Sequence, residues 1–386
     1  MSIYLDHSAT TPVDDRVLEA MLPYFSQHYG NPSSIHQWGQ MAEAAVERAR
    51  RTIAGILNCR PDEIIFTSCG SESDNLAVRG AAVAARHAGK GRHLITQPLE
   101  HSAVGKTCRQ LETYFDFDCT YLPVDSQGQI TPTVLENAMR DDTTVVSLML
   151  ANNEIGTLLP IAELAAVAHA HGTVFHTDAV QAGGQVVLDV QALGVDMLSL
   201  SGHKFYGPKG VGVLYVREGT PLVPSQSGGS HEFGLRSGTH NVPLIVGIAK
   251  ALEIADAEFE THTAHYKAMR DRLIEGILAH LPDVELTGDA QRRLPSHASF
   301  VFKHTDANML LMQLDMRGIA ASSGSACKVG NPAPSAVLQA LGYDEAWTLG
   351  GLRLTVGRQT TAADIDSVLE ILPETVKAVR QLWVTA

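Results

Sequence analysis

The stretch Met197-Leu198-Ser199-Leu200-Ser201-Gly202-His203-Lys204-Phe205-Tyr206-Gly207-Pro208-Lys209-Gly210 ends an apolar run on a lysine and follows it with a Gly/Pro-rich turn. A short apolar run bounded by turn residues reads as a buried strand, here 197–200, with Lys204 just beyond its C-terminal end. Residues 210–216 (Gly-Val-Gly-Val-Leu-Tyr-Val) read as a further strand, close enough to lie beside the preceding one. Upstream, strands at 63–67, 93–96, 120–123, 145–150 and 174–177 alternate with helical patterns at 75–87, 102–112, 132–139 and 161–171. That rhythm predicts an α/β fold: a mostly parallel, seven-stranded sheet sandwiched by helices.

Beyond the lysine the pattern changes. A polar, turn-rich section at 224–241 leads into a long helical stretch, 242–281. There follow a strand at 297–302, a helix at 308–316, a Gly/Ser loop, a helix at 335–341, a strand at 352–356 and a helix at 361–382. This is the signature of a smaller α+β C-terminal domain. The domain change is expected inside the long helix near residue 255, giving a large domain 14–255 and a small one formed by 1–13 and 256–386. No internal repeat interrupts the chain.

Composition narrows the function classes. Apolar residues make up 45% and charged residues 18% of 386 residues, the balance of an ordinary soluble globular protein. A formal charge of −13 speaks against a nucleic-acid surface, which concentrates Lys and Arg. The N-terminus has no basic region followed by an apolar stretch, and no run of about 18 apolar residues suggests a membrane span. The five cysteines are odd in number and lack zinc-type spacing. A reducing cytoplasm, with most thiols serving as small buried hydrophobes, is the simplest expectation.

Open α/β sheets place ligands at the C-terminal ends of their strands, and three features fall there. Ser68-Cys69-Gly70-Ser71-Glu72-Ser73-Asp74 separates strand 63–67 from helix 75–87. Ser71 and Asp74 read as a capping box, and a helix N-terminus with free amides binds anions. His176-Thr177-Asp178-Ala179-Val180-Gln181 puts an acid after a buried strand, where it could cap a helix, hold a metal with His169 and His171, or pair with a cationic heterocycle. Lys204 taken alone could be a salt-bridge partner. Desolvation at a strand end would lower its pKa and favour the free amine that Schiff-base chemistry requires. Lysine for an aldehyde, acid for a pyridinium nitrogen and helix for a phosphate together form the set that pyridoxal 5'-phosphate (PLP) requires. No metal site is expected, and no Walker or dinucleotide fingerprint occurs.

Further motifs carry a resemblance. They are Leu5-Asp6-His7-Ser8-Ala9-Thr10-Thr11-Pro12, Tyr29-Gly30-Asn31-Pro32-Ser33-Ser34, residues 67–75, Glu100-His101 and Asn152-Asn153-Glu154-Ile155-Gly156. Residues 176–181, residues 201–210, Arg236-Ser237-Gly238-Thr239, Ser322-Ser323-Gly324-Ser325-Ala326-Cys327 and Leu352-Arg353 complete them. In this order, nearly end to end, the chain resembles the fold-type I PLP enzymes of the class V aminotransferase group, and within them the cysteine desulfurases of the NifS/IscS-like branch. The resemblance implies that Lys204 carries the cofactor, Asp178 pairs with its ring nitrogen and Gln181 contacts its ring hydroxyl. His101 would stack on the ring and act in proton transfer. Gly70, Ser71, Ser201 and His203 would bind the phosphate, joined by Thr239 from the partner in a two-fold dimer. Asn153, which also borders the cofactor, and Arg353 would hold the substrate, Arg353 as a fork on its carboxylate.

Cys327 sits among Gly, Ser and Pro, which predicts a mobile loop, and Lys328 beside it favours the thiolate. The implied reaction takes sulfur from L-cysteine onto Cys327 as a persulfide, releases L-alanine, and passes the sulfur to an acceptor protein for iron–sulfur clusters or thiolated cofactors and tRNA. Where this group usually has Gly-Gly or Gly-Ala before a Thr, this chain has Cys69-Gly70-Ser71, which retains a hydroxyl. Relatives that serve the iron–sulfur scaffold carry a longer tail than one ending at Ala386, so the acceptor stays open. Selenocysteine lysis or transamination would retain Lys204 and Asp178, but the Cys327 loop argues against transamination. A non-catalytic binding protein would not need the whole set.

Overall fold

A computed structural model describes residues 2–323 and 334–384; Cys327 lies outside them. The strands, in chain order, are β1 (Ile3–Tyr4), β2 (Ile64–Thr67), β3 (His93–Thr96), β4 (Asp118–Tyr121), β5 (Thr143–Ser147), β6 (Val174–Asp178), β7 (Met197–Ser201), β8 (Gly212–Val216), β9 (Val284–Leu286), β10 (His297–Phe302), β11 (Ile319–Ala320) and β12 (Gly351–Thr355).

Seven of them form the main sheet in the order β2-β8-β7-β6-β5-β3-β4. All neighbours are parallel except β8, which runs antiparallel to both β2 and β7. Because strand side chains alternate in direction, each strand feeds two cores. Ile64 and Phe66, Ile95, Val146 and Leu198 face one core; Ile65, Leu94, Val145 and Met197 face the other. The first is covered by helices Gln37–Leu57, Ile161–Ala170 and Val242–Ala257, the second by Gly70–His87 and Ser102–Phe115. Burial on both faces explains why these strands read as continuous apolar runs.

A second sheet, β12-β10-β9, is antiparallel. Its core combines Phe300, Phe302, Leu352 and Leu354 with helices Phe259–His280, Ala307–Met316 and Ala362–Val384, and with Leu5 from the start of the chain. β1 pairs in parallel with β11, so the first residues lie with the C-terminal elements.

Two local expectations give way. The stretch 242–281 is two helices, not one. Val242–Ala257 ends at Glu258, which leaves helical geometry (φ −106°, ψ 15°), and Phe259–His280 follows. The Glu258 carboxylate is drawn to Arg16 Nη1 at 2.6 Å. Nor do Ser71 and Asp74 form a capping box: the helix already starts at Gly70, with Cys69 at the N-cap and no side-chain cap. Ser71 therefore sits in the first turn and Asp74 inside the helix, buried against the sheet.

Candidate functional site

Since β8 is antiparallel, its first residue, Gly212, lies opposite both Thr67 at the end of β2 and Ser201 at the end of β7. The ends of β2, β7, β6 and β5 thus open on one edge of the sheet. A cavity of about 330 Å³ lies there. It is lined by Gly70, Ser71, His101, Asn153, Asp178, Gln181, Ser201, His203, Lys204 and Arg353, together with Ser8, Ala9, Cys69, Asp74, Met149 and Val180. Among the residues singled out in the sequence, Thr239 does not line it, and Cys327 is outside the described residues. His169 and His171 are elsewhere, paired with Asp196 (2.8 Å) and Glu136 (2.9 Å).

Lys204 ends a short 3₁₀ turn, Gly202–Lys204, after β7. Its Nζ donates to the carbonyls of Ser8 (2.5 Å) and Ala9 (2.9 Å). Burial, reinforced by Arg353, pushes its pKa down to about 8, although Asp178 and Asp6 act the other way. A useful fraction of free amine is therefore present near neutrality. The Ser8 carbonyl also accepts from Gln181 Nε2 at 3.0 Å. Thr11 N and Oγ1 donate to the His203 carbonyl at 2.9 and 3.0 Å. The segment 6–12 is thus the wall that fixes the lysine turn.

Asp178 ends β6 and is only 5% exposed. Its Oδ1 accepts from Val180 N at 2.9 Å. Burial raises its pKa, and the charges of His101 and Lys204 oppose that rise. His101 caps the helix Ser102–Phe115, with Nδ1 accepting from Ala103 N at 3.2 Å, which leaves Nε2 as the ring's N–H donor. His203 places Nδ1 3.2 Å from Thr10 Oγ1. Burial and the nearby Lys204 and Lys209 push its pKa down to about 4, so it is neutral at pH 7.

The amides of Gly70 and Ser71 open a helix that no side chain caps, a ready anion site. A Cβ on Gly70 would stand 2.7 Å from Val180 Cγ2, so only glycine lets this helix start approach the end of β6. On the opposite wall Arg353, from β12, donates to Asp6 Oδ1 (2.7 Å) and to the Asn153 carbonyl (2.8 Å). Its Nε is buried with no partner among the described residues. A guanidinium held on one edge and unsatisfied on another suits a carboxylate. Ser322, which precedes Cys327, exchanges backbone hydrogen bonds with Arg353 (2.6 and 3.2 Å).

Residues 3–368 match the family model described as aminotransferase class-V. The chain belongs to the aminotransferase class-V family. It is 48% identical over 381 residues to a protein named cysteine desulfurase IscS from Methanosarcina thermophila, covering 99% of this chain and 93% of that one. A cysteine desulfurase IscS from Dictyoglomus turgidum is 43% identical over 380 residues, covering 98% and 96%. Among solved structures, a NifS-like protein superposes with a TM-score of 0.91 at 37% identity, covering 98% of this chain and all (100%) of that one. SspA in complex with cysteine gives 0.81 at 36% identity, covering 93% and 100%.

Enzymes of this family work with PLP, and the cavity passes a test of fit. It holds a poorly solvated amine at Lys204, a buried carboxylate at Asp178 that forms no ion pair among the described residues, and an uncapped helix start. Those are the partners an aldehyde, a pyridinium and a phosphate require. What sequence reading missed are backbone partners, an apolar wall residue and a buried acid: the Ser8 and Ala9 carbonyls, Met149, and Asp74. Carbonyl acceptors leave no trace in side-chain identity. Asp74 does, since it falls in phase with the buried residues Ala77, Val78 and Ala81 of its helix.

Proposed function

We propose that this chain is a PLP-dependent cysteine desulfurase that takes sulfur from L-cysteine, releases L-alanine and carries the sulfur as a persulfide on Cys327. One observation carries the reading. Lys204, Asp178, the Gly70–Ser71 helix start and the half-satisfied Arg353 converge on one cavity, in a chain whose near-full-length relatives are named cysteine desulfurases.

PLP bound here would supply an electron sink for the substrate's Cα. Lys204 would anchor the cofactor and hold or return a proton at Nζ. Asp178 would pair with the ring nitrogen and Gln181 would contact the ring hydroxyl. Gly70, Ser71, Ser201 and His203 hold the phosphate through amides, hydroxyls and a neutral imidazole. His101, its Nδ1 tied to Ala103 N, would stack on the ring and move a proton at Nε2. Arg353 and Asn153 orient the substrate carboxylate. The Cys327 thiolate attacks the substrate sulfur: the substrate C–S bond breaks, an S–S bond forms, and protons are taken up as alanine leaves. No outside oxidant is needed.

A homodimer completes the site, with Thr239 reaching the partner's phosphate. Supporting it, Tyr29, Ile35 and Trp38 are 63%, 93% and 60% exposed within one short stretch, a large apolar surface for a lone protomer. The sulfur then goes to an acceptor protein in the cytoplasm; among the described residues no helix is long and apolar enough to cross a membrane.

Anaerobic incubation with L-cysteine followed by intact-mass measurement tests the reaction. A sulfur adduct on Cys327 with one equivalent of alanine is the expected result. Cys327→Ser should retain the cofactor and lose sulfide release; full turnover in that variant removes Cys327 from the mechanism. The loaded protein should sediment as a dimer, and a monomer with full cofactor affinity would reject Thr239 as a partner residue.

A further inference from the structure

Behind the cavity the central strands carry a polar layer that the proposed reaction does not use. His176 on β6 is fully buried, with Nδ1 2.9 Å from Ser147 Oγ on β5 and Nε2 2.9 Å from Ser199 Oγ on β7. Asp74, from the helix that starts at the cavity, lies over this row with Oδ1 3.7 Å from His176 Nε2. That oxygen is buried and has no hydrogen-bond partner among the described residues. Asp74, Asp178 and His101 bring one polar side-chain atom each to within 4.8 Å of one another. The row Ser147, His176, Ser199, Asp74 therefore runs across three strands and ends beside Asp178.

The protonation of this row is constrained. Burial takes the pKa of His176 to about 3, so its ring is neutral and supplies no cation to Asp74. Asp178, Glu100 and Cys69 act on Asp74 by charge and His176 and His101 lie close to it; among the described residues the cations Lys204 and Arg353 line the same cavity but form no ion pair with it. Burial first, then the charge of Asp178, raises the Asp74 pKa well above the usual carboxylate range. Two ionised carboxylates so close in a dry interior would force one to take up a proton. A neutral acid at Asp74 leaves the charge on Asp178.

We propose that Asp74 is a positioning residue, a neutral acid that the Ser147–His176–Ser199 row holds beside Asp178, and that its dipole keeps Asp178 ionised and the cofactor's ring nitrogen protonated. This rests on the reading that Asp178 faces that nitrogen. Without the Asp74 dipole, Asp178 is a stronger base and draws the proton off the ring, weakening the electron sink. Ser199 acts one step further back, by orienting the Asp74 carboxyl.

The test uses holoenzyme loaded with PLP labelled with nitrogen-15 in the ring, reading the nitrogen chemical shift against pH. Asp74→Asn is neutral, similar in shape and still a donor, and should leave the titration of the ring nitrogen in place. Asp74→Leu should move it down by about one pH unit, a tenfold change in the protonation equilibrium, and weaken PLP binding by a similar factor. Ser199→Ala should move it the same way by less, and serves if the leucine variant does not fold. A shift in Asp74→Asn as large as in Asp74→Leu would mean that Asp74 acts as a charge, and overturns the proposal. So does an unmoved titration in Asp74→Leu or, should that variant not fold, in Ser199→Ala. If Asp178→Asn itself leaves the ring nitrogen unchanged, the assignment of Asp178 fails, a separate outcome that removes the proposal's basis.

Discussion

Lys204 shows what a single side chain owes to its neighbours. Two backbone carbonyls hold its amine in a pocket that burial has made hostile to charge. Its pKa lies below the usual lysine value, so the free-amine fraction climbs as pH rises through about 8. In the cofactor-free protein, the rate of PLP capture should therefore rise over about pH 6.5–9 and level off above it. Stopped-flow absorbance at a fixed low PLP concentration checks this, and a rate independent of pH across that span would contradict it. The same depression means the unfolded chain binds the extra proton more readily, so this lysine's contribution to the stability of the cofactor-free protein grows as pH rises from about 8 toward 10.5. In the sequence Lys204 was legible as a strand-end lysine, because the apolar run and turn around it are local signals. The carbonyls of Ser8 and Ala9 were not, since nothing in residue identity announces which main-chain oxygen will face a site nearly 200 residues away (|i−j| 196 for Ser8).

At the level of elements, the insertion of β8 between β2 and β7 decides where the helix start at Gly70 can sit. A Cβ on Gly212 would lie 2.6 Å from the Cys69 carbonyl carbon and 2.7 Å from Thr67 Oγ1, both in the turn that carries the uncapped amides. Gly212→Ala should thus cost about 2 kcal/mol of stability and reduce PLP affinity, while Gly219→Ala, facing open space but at positive φ, should cost stability alone. Melting temperature and PLP titration of the two variants separate the effects; equal PLP affinities would sink the claim that Gly212 shapes the phosphate site. The main strands and their helices were readable because two-sided burial writes long apolar runs. The start of the helix at Gly70 was misread because Ser71 and Asp74 mimic a cap, and the signal against it was the apolar phase that Asp74 shares with Ala77 and Ala81. The break at Glu258 was not legible, for no Gly or Pro marks it and the partner of its carboxylate, Arg16, lies 242 residues away. The short β1 and β11 are too brief to show any period.

Across the whole molecule, the cavity is closed by parts that are remote in sequence. Arg353 belongs to the second sheet, and Asp6 next to β1 steadies it. Asp6→Asn should raise the KM for L-cysteine by about tenfold and change kcat less, because it loosens the proposed carboxylate fork at Arg353 while removing only the smallest of the charges that act on Lys204. Steady-state kinetics decide this, and a fall confined to kcat would contradict it. The arrangement also bears on how the chain is made. Ile3 pairs with Ile319, and Asp6 bridges to Thr355. On a ribosome adding ~5–20 residues per second, residues 3–6 wait on the order of 20–70 seconds for their partners at 319–355 to emerge. The lysine turn, the acid and the helix start exist long before the wall that braces them. A nascent chain therefore carries an unfinished pocket until residues 319–355 have been made, and residues 3–6 find their place long after they are synthesised.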